Sequence, residues 1–131
     1  MPQMANVTVK KADGTTDIVY TAEVPSAGDS SPAQWSSKSA STTRAYRPII
    51  RMTTAYNGPK TARRVSVTGK YPIVRLVSGV DTLVGTIPLE LSAVIPLIVT
   101  DVEASEATRQ FENFVTNVLI RECIEQGFAA T

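Results

Sequence analysis

Tyr46–Tyr56, YRPIIRMTTAY, and Ala62–Tyr71, ARRVSVTGKY, decide how this chain folds. In the first stretch Arg47, Arg51 and Thr53 fall on one side of a strand and Ile50 and Met52 on the other, with Ile49 an apolar exception on the charged side. In the second, Arg64, Ser66, Thr68 and Lys70 alternate against Val65, Val67 and Tyr71. Period-two patterning of this kind describes an antiparallel sheet with one covered face and one open face. Asn57-Gly58-Pro59-Lys60 supplies the turn between the two strands. The open face is expected to carry arginine and hydroxyl groups.

Further along the chain, a strand near Ile73–Val77 turns through Ser78-Gly79 into a long one, Leu83–Val99. There Thr86, Glu90 and Ser92 alternate with Ile87, Leu89, Leu91 and Ala93. Toward the N-terminus, Val7 and Val9 face Ile18 and Tyr20 across Ala12-Asp13-Gly14-Thr15, where Asp-Gly marks a hairpin over residues 5–22. Pro25–Pro32 and Ser36–Thr43 read as connectors, with Trp35 as an anchor between them. Pro48, Pro88 and Pro96 lie inside the expected strands of the 46–99 sheet. Proline cannot donate to a ladder, so strand starts, bulges or kinks are expected there.

The last segment, residues 101–126, reads as helical. Thr100-Asp101-Val102-Glu103 matches a capping box, Ala107, Phe111, Phe114, Val115 and Val118 keep helical spacing, and Gly127 supplies a stop. From Val118 onward Leu119, Ile120, Cys123 and Ile124 spread round more of the circumference than one packing face needs. A second chain is the simplest source of that burial; the alternative is a helix sunk deeper in its own monomer. Phe111, Phe114, Val115, Val118 and Leu119 are the candidate interface residues. The expected class is α+β, in one domain of 131 residues.

Charge locates the function. Between Asp29 and Asp81 there is no acidic residue, yet nine of the 13 Lys and Arg residues fall there. Residues before this block carry a formal charge of −2, the block +9 and the remainder −6, which sum to the net +1. A basic block in a nearly neutral chain is what a polyanion site requires, because phosphate binding depends on local Lys and Arg. The competing reading is a solvated charged face.

Several classes drop out. With no histidine and a single cysteine, Ser-His and Cys-His nucleophiles, His-ligated metals and thiolate zinc cages are excluded, so no cofactor or metal is expected. Cys123, beside Ile120 and Ile124, reads as a buried thiol. The pairs Glu103 with Glu106 and Glu122 with Glu125 have the spacing of a solvated helix face, so no enzyme and no small-molecule substrate are expected. No apolar run approaches a bilayer span and no leader pattern opens the chain, so a cytosolic site of synthesis and no membrane partner are expected.

Taken in order, Ala33-Gln34-Trp35-Ser36-Ser37, Ala45-Tyr46-Arg47, the hydroxyl- and arginine-bearing strand ending at Tyr71-Pro72, Ile95-Pro96-Leu97 and the C-terminal helix resemble the coat proteins of small single-stranded RNA bacteriophages of the levivirus type. The resemblance implies an N-terminal hairpin, a five-stranded antiparallel sheet and C-terminal helices that cross onto a partner, so that two chains share a ten-stranded sheet. It also implies a homodimer that tiles an icosahedral shell around viral RNA in the bacterial cytoplasm. Family position puts Arg47, Ile49, Arg51, Thr53, Arg64, Ser66, Thr68 and Lys70 against RNA, where better-known members bind a stem-loop that represses translation. Arg64 and Ser66 keep the family's chemical character. Ile49 and Arg51 replace small hydroxyl residues, Thr68 a basic one, and Pro88 and Glu90 an aromatic and an amide, so an operator should differ. A free dimeric regulator that reads nucleic acid with the same sheet is the alternative.

Overall fold

The computed structural model describes residues 2–131. The elements are β1 (Val7–Lys10), β2 (Asp17–Val24), β3 (Ala33–Ser36), a 3-10 turn at Arg44–Tyr46, β4 (Ile49–Tyr56), β5 (Ala62–Val77), β6 (Val80–Pro96), α1 (Asp101–Val115) and α2 (Val118–Gln126). The class is α+β, with one six-stranded antiparallel sheet in the order β1-β2-β3-β4-β5-β6 followed by helices. The chain divides into a unit ending at Val94 and a second, Ile95–Thr131.

The first hairpin forms as read, with Val7 opposite Tyr20 and Val9 opposite Ile18. Its loop closes through the Lys11 N–H, which donates to the Thr16 carbonyl at 2.8 Å. Asp13 braces the loop by accepting from the N–H groups of Thr15 and Thr16, both at 2.9 Å, and from the Thr16 hydroxyl at 2.5 Å. These donors favour the ionised carboxylate and lower its pKa to about 2.

Three strand expectations are corrected. Ala33–Ser36, read only as a Trp35 anchor running into the Ser36–Thr43 connector, is β3, and it joins the hairpin to the basic strands in a single sheet. The first basic strand starts at Ile49, immediately after Pro48, because Arg44–Tyr46 is wound into a 3-10 turn. The second does not stop at Tyr71: β5 continues through Pro72 to Val77. The ladder with β4 ends at the pair Ile49–Lys70, so the missing N–H of Pro72 costs that ladder nothing. Pro96 ends β6, and Pro88 lies inside it on the last strand in the order. Ser78 (φ 50°) and Gly79 (φ 80°) form the two-residue loop between β5 and β6, and positive φ at both positions is the type I′ geometry that suits strand twist.

In the second unit the capping box is present: the Thr100 hydroxyl accepts from the Glu103 N–H at 3.3 Å, and the Glu103 carboxylate accepts from the Thr100 N–H at 3.1 Å. The helical segment breaks at Thr116-Asn117, two residues that favour caps over helix interiors. Asn117 caps α2 by accepting from the Leu119 N–H at 3.0 Å, and Arg121 donates to the Thr116 carbonyl at 2.9 Å. Gly127 ends α2 in the left-handed conformation, φ 75°. Cys123 is half-buried rather than buried. Neither helix reaches the length and apolarity needed to cross a membrane.

Among the described residues the buried ones are Ala33, Ser36, Ser37, Pro48 and Ala62. Three of these lie on or beside β3, and the Pro48 carbonyl accepts from the Ser37 N–H at 3.1 Å. Large apolar side chains are left exposed instead, including Ile87, Leu89 and Leu91 on β6 and Phe111, Phe114, Val118 and Leu119 on the helices.

Candidate nucleic-acid interface

The β3–β4–β5 register builds one polar face. Residues directly opposite in a ladder project to the same side. The pairs Ile49–Lys70, Arg51–Thr68, Thr53–Ser66 and Ala55–Arg64 therefore share a face, and Gln34–Arg51 and Ser36–Ile49 extend it onto β3. Every expected site residue except Arg47 is brought together on that face. Arg47 precedes the strand, and its side chain is tied to the connector: Nε donates to the Ser41 carbonyl at 2.8 Å and Nη2 to that of Thr42 at 3.2 Å.

The opposite face carries Ile50, Met52, Val65 and Val67. Gly69 is on this side too, where a Cβ would meet Leu89 Cβ at 3.8 Å and Ile50 Cγ1 at 3.9 Å. Leu89 thus belongs to the apolar face, and alternation puts its neighbours Pro88 and Glu90 on the polar one.

Strand parity also sorts the two adjacent arginines. Arg63 pairs across the ladder with Tyr56 on the apolar side, where it makes a bidentate bridge to Asp29 at 2.9 and 2.7 Å and lies 4.4 Å over the Tyr56 ring. The Arg63 guanidinium holds the Asp29 carboxyl below the usual range. Arg64 projects the other way. Among the described residues the ion pairs are Arg63–Asp29 and Lys10–Asp17, so Arg51, Arg64 and Lys70 stand exposed and without a carboxylate partner. A row of unpaired cations interleaved with Thr53, Ser66 and Thr68 offers charge and hydrogen-bond donors to a phosphodiester backbone.

The face continues into a cleft that the sequence reading missed. Arg51 Nε donates to Gln34 Oε1 at 2.8 Å, Gln34 Nε2 donates to Glu23 Oε2 at 2.9 Å, and the Ser36 hydroxyl donates to Glu23 Oε1. The hydrogen bonds from Ser36 and Gln34, followed by the charges of Lys38 and Arg44, lower the pKa of the Glu23 carboxyl. Gln34 was hidden because no strand was read between the two connectors; the polar–Trp–polar alternation of Gln34-Trp35-Ser36 was the available signal.

The expected interface residues also have a common character. Phe114 is 59% exposed and Val118 62%, Phe111 and Leu119 are exposed as well, and Val115 is half-buried.

No protein-family model matches the chain, and no curated protein does. Solved structures do. The chain is similar to the subunit of the virus-like particle of Beihai levi-like virus 21, with a TM-score of 0.83 and 15% identity over 99% of each chain. It is similar to that of bacteriophage ESE058, with a TM-score of 0.80 and 20% identity over 98% of this chain and 100% of the other. The capsid protein of bacteriophage GA gives a TM-score of 0.71 and 15% identity over 95% of each chain. The fold is that of the levivirus coat proteins, as the resemblance in the residues implied.

Proposed function

We propose that this chain is a coat protein that pairs with a second copy, builds an icosahedral shell in a bacterial host, and encloses single-stranded RNA against the face carrying Ile49, Arg51, Thr53, Arg64, Ser66, Thr68 and Lys70. Arg47 stands at the margin of that face. One observation carries the reading: a sheet whose register gathers unpaired cations on one side belongs to a chain with the fold of virus-like-particle subunits over its full length. Such a face binds RNA through its phosphates, and the binding is strongly salt-dependent.

Exposed apolar side chains on the helices support self-association. Complete burial from full exposure contributes about 1.5–3 kcal/mol for a side chain of this size, so burying the half-exposed Phe111, Phe114, Val118 and Leu119 contributes at most roughly 6–12 kcal/mol in all. Association costs about 4–15 kcal/mol before any net affinity appears, so the helix patch alone only breaks even. The exposed apolar face of β6, with Ile87, Leu89 and Leu91, must be covered as well. Expression of the chain alone, followed by sedimentation and electron microscopy, tests the proposal. Closed particles that retain host RNA are expected. A dimer that binds RNA but never closes a shell would assign the chain to the free regulators instead.

A further inference from the structure

Strand β2 pairs with β3 at Ala22–Trp35 and again at Val24–Gln34, so its register shifts across one inserted residue, Glu23. A bulge re-aims a side chain. Here that side chain is Val24, brought opposite Gln34; Glu23 follows Thr21, the partner of Ser36, onto the polar face by alternation, and its carboxylate lies within reach of Gln34 and Ser36. The carboxylate lines a cleft of about 600 Å³, whose other walls include Lys38, Arg44 and Arg47 and whose apolar lining includes Val24 and Ile49. That volume falls inside the roughly 300–1,000 Å³ range of small-ligand sites. Ile49, out of place on a charged strand face, has a role here as an apolar wall.

A carboxylate in the middle of this basic surface repels phosphate, so the cleft must suit some other part of an RNA chain. An ionised carboxylate has about four acceptor positions and no donor. Ser36 and Gln34 occupy one on each oxygen, which leaves one on each. Among the bases, guanine alone presents two adjacent N–H donors, N1–H and the 2-amino group, on its Watson–Crick edge. Its O6 and N7 acceptors suit arginine or lysine. Splayed bases in single-stranded RNA are read on that edge.

We infer that this cleft takes an unpaired guanine of the RNA, with Glu23 as the specificity-determining residue and Lys38 and Arg44 on the adjoining phosphates. The inference rests on the proposed binding of RNA to the polar face. The low pKa of Glu23 keeps it an acceptor at neutral pH.

The test uses the purified full chain freed of RNA, with oligouridylate probes carrying one central guanosine, inosine or adenosine, and reads affinity by fluorescence anisotropy. Guanosine should bind about 5- to 150-fold more tightly than adenosine, the range for one bidentate base contact. Inosine, which keeps N1–H and lacks the 2-amino group, should fall between. Glu23→Gln offers one acceptor and one donor, and should lose the preference while keeping the salt dependence. Equal affinity for the three probes with a steep salt dependence overturns the guanine site and leaves phosphate binding standing. So does a guanosine preference that survives Glu23→Gln. Failure to bind any probe overturns both.

Discussion

Replacing Arg51 and Arg64 together by Ser should weaken RNA binding and leave the sheet intact. Both side chains are exposed and neither is in an ion pair. Arg51 gives up one hydrogen bond to Gln34, whose exposed amide can take water instead. Exposed polar positions of this kind seldom cost more than about 0.5 kcal/mol each. For single strands each phosphate contact contributes about 0.7 to the slope of log affinity against log salt, so two contacts contribute about 1.4 per chain. Across a fourfold rise in salt, the wild-type chain should therefore lose about 7-fold more affinity than the double variant. Titration of a single-stranded RNA at 50 and 200 mM salt, roughly the range over which such effects are resolved, reads the difference. Packaged RNA per particle should fall in parallel. An unchanged slope with unchanged packaging would refute the reasoning, and the cations would then be ordinary solvated charge.

Phe114→Asp should leave the isolated chain folded, because Phe114 is exposed there, yet abolish self-association, since an unpaired charge buried at an interface costs several kcal/mol; sedimentation velocity reads this. Thr100→Ala removes the acceptor of the capping box and should cost about 1 kcal/mol of stability, measured by thermal unfolding with circular dichroism. Asp13 has a folded pKa below its ordinary value, so its bracing of the first loop is complete above about 4 and is lost as pH falls through about 2. Nuclear magnetic resonance titration of the Asp13 carboxyl should show this, with Thr15 and Thr16 amide shifts following the same curve.

The polar face was legible because residues 49–56 and 64–70 alternate strictly enough that, Ile49 and Ala55 apart, one side of each strand is all charge and hydroxyl. What the alternation could not supply was the partner of each strand. β3 is four residues long, so its alternation is confined to Gln34-Trp35-Ser36, and its Ala33 and Ser36 are buried by neighbours rather than by any pattern of their own. Pro72 reads locally as a stop, and only the end of the β4 ladder at Lys70 explains why β5 passes through it. Arg63 and Arg64 look equivalent in the sequence. They differ because parity sends one toward Asp29, 34 residues away in the chain, and the other to the open face. Glu23 was illegible for a similar reason, since its place beside Gln34 and Ser36 depends on a β2–β3 pairing that no local pattern announces. The helix break was foreshadowed by Thr116-Asn117, a pair that caps better than it propagates.

In the proposed particle, the polar face of the sheet meets the RNA. Ultraviolet crosslinking of RNA inside purified particles, with the attached residues mapped by mass spectrometry, tests it most directly. Crosslinks should fall on Arg47, on Ile49 to Thr53 and Arg64 to Lys70 at the positions of the polar face, and on the Glu23–Gln34 cleft. Crosslinks confined to α1, α2 or the Ile50–Met52–Val67 side would contradict the account.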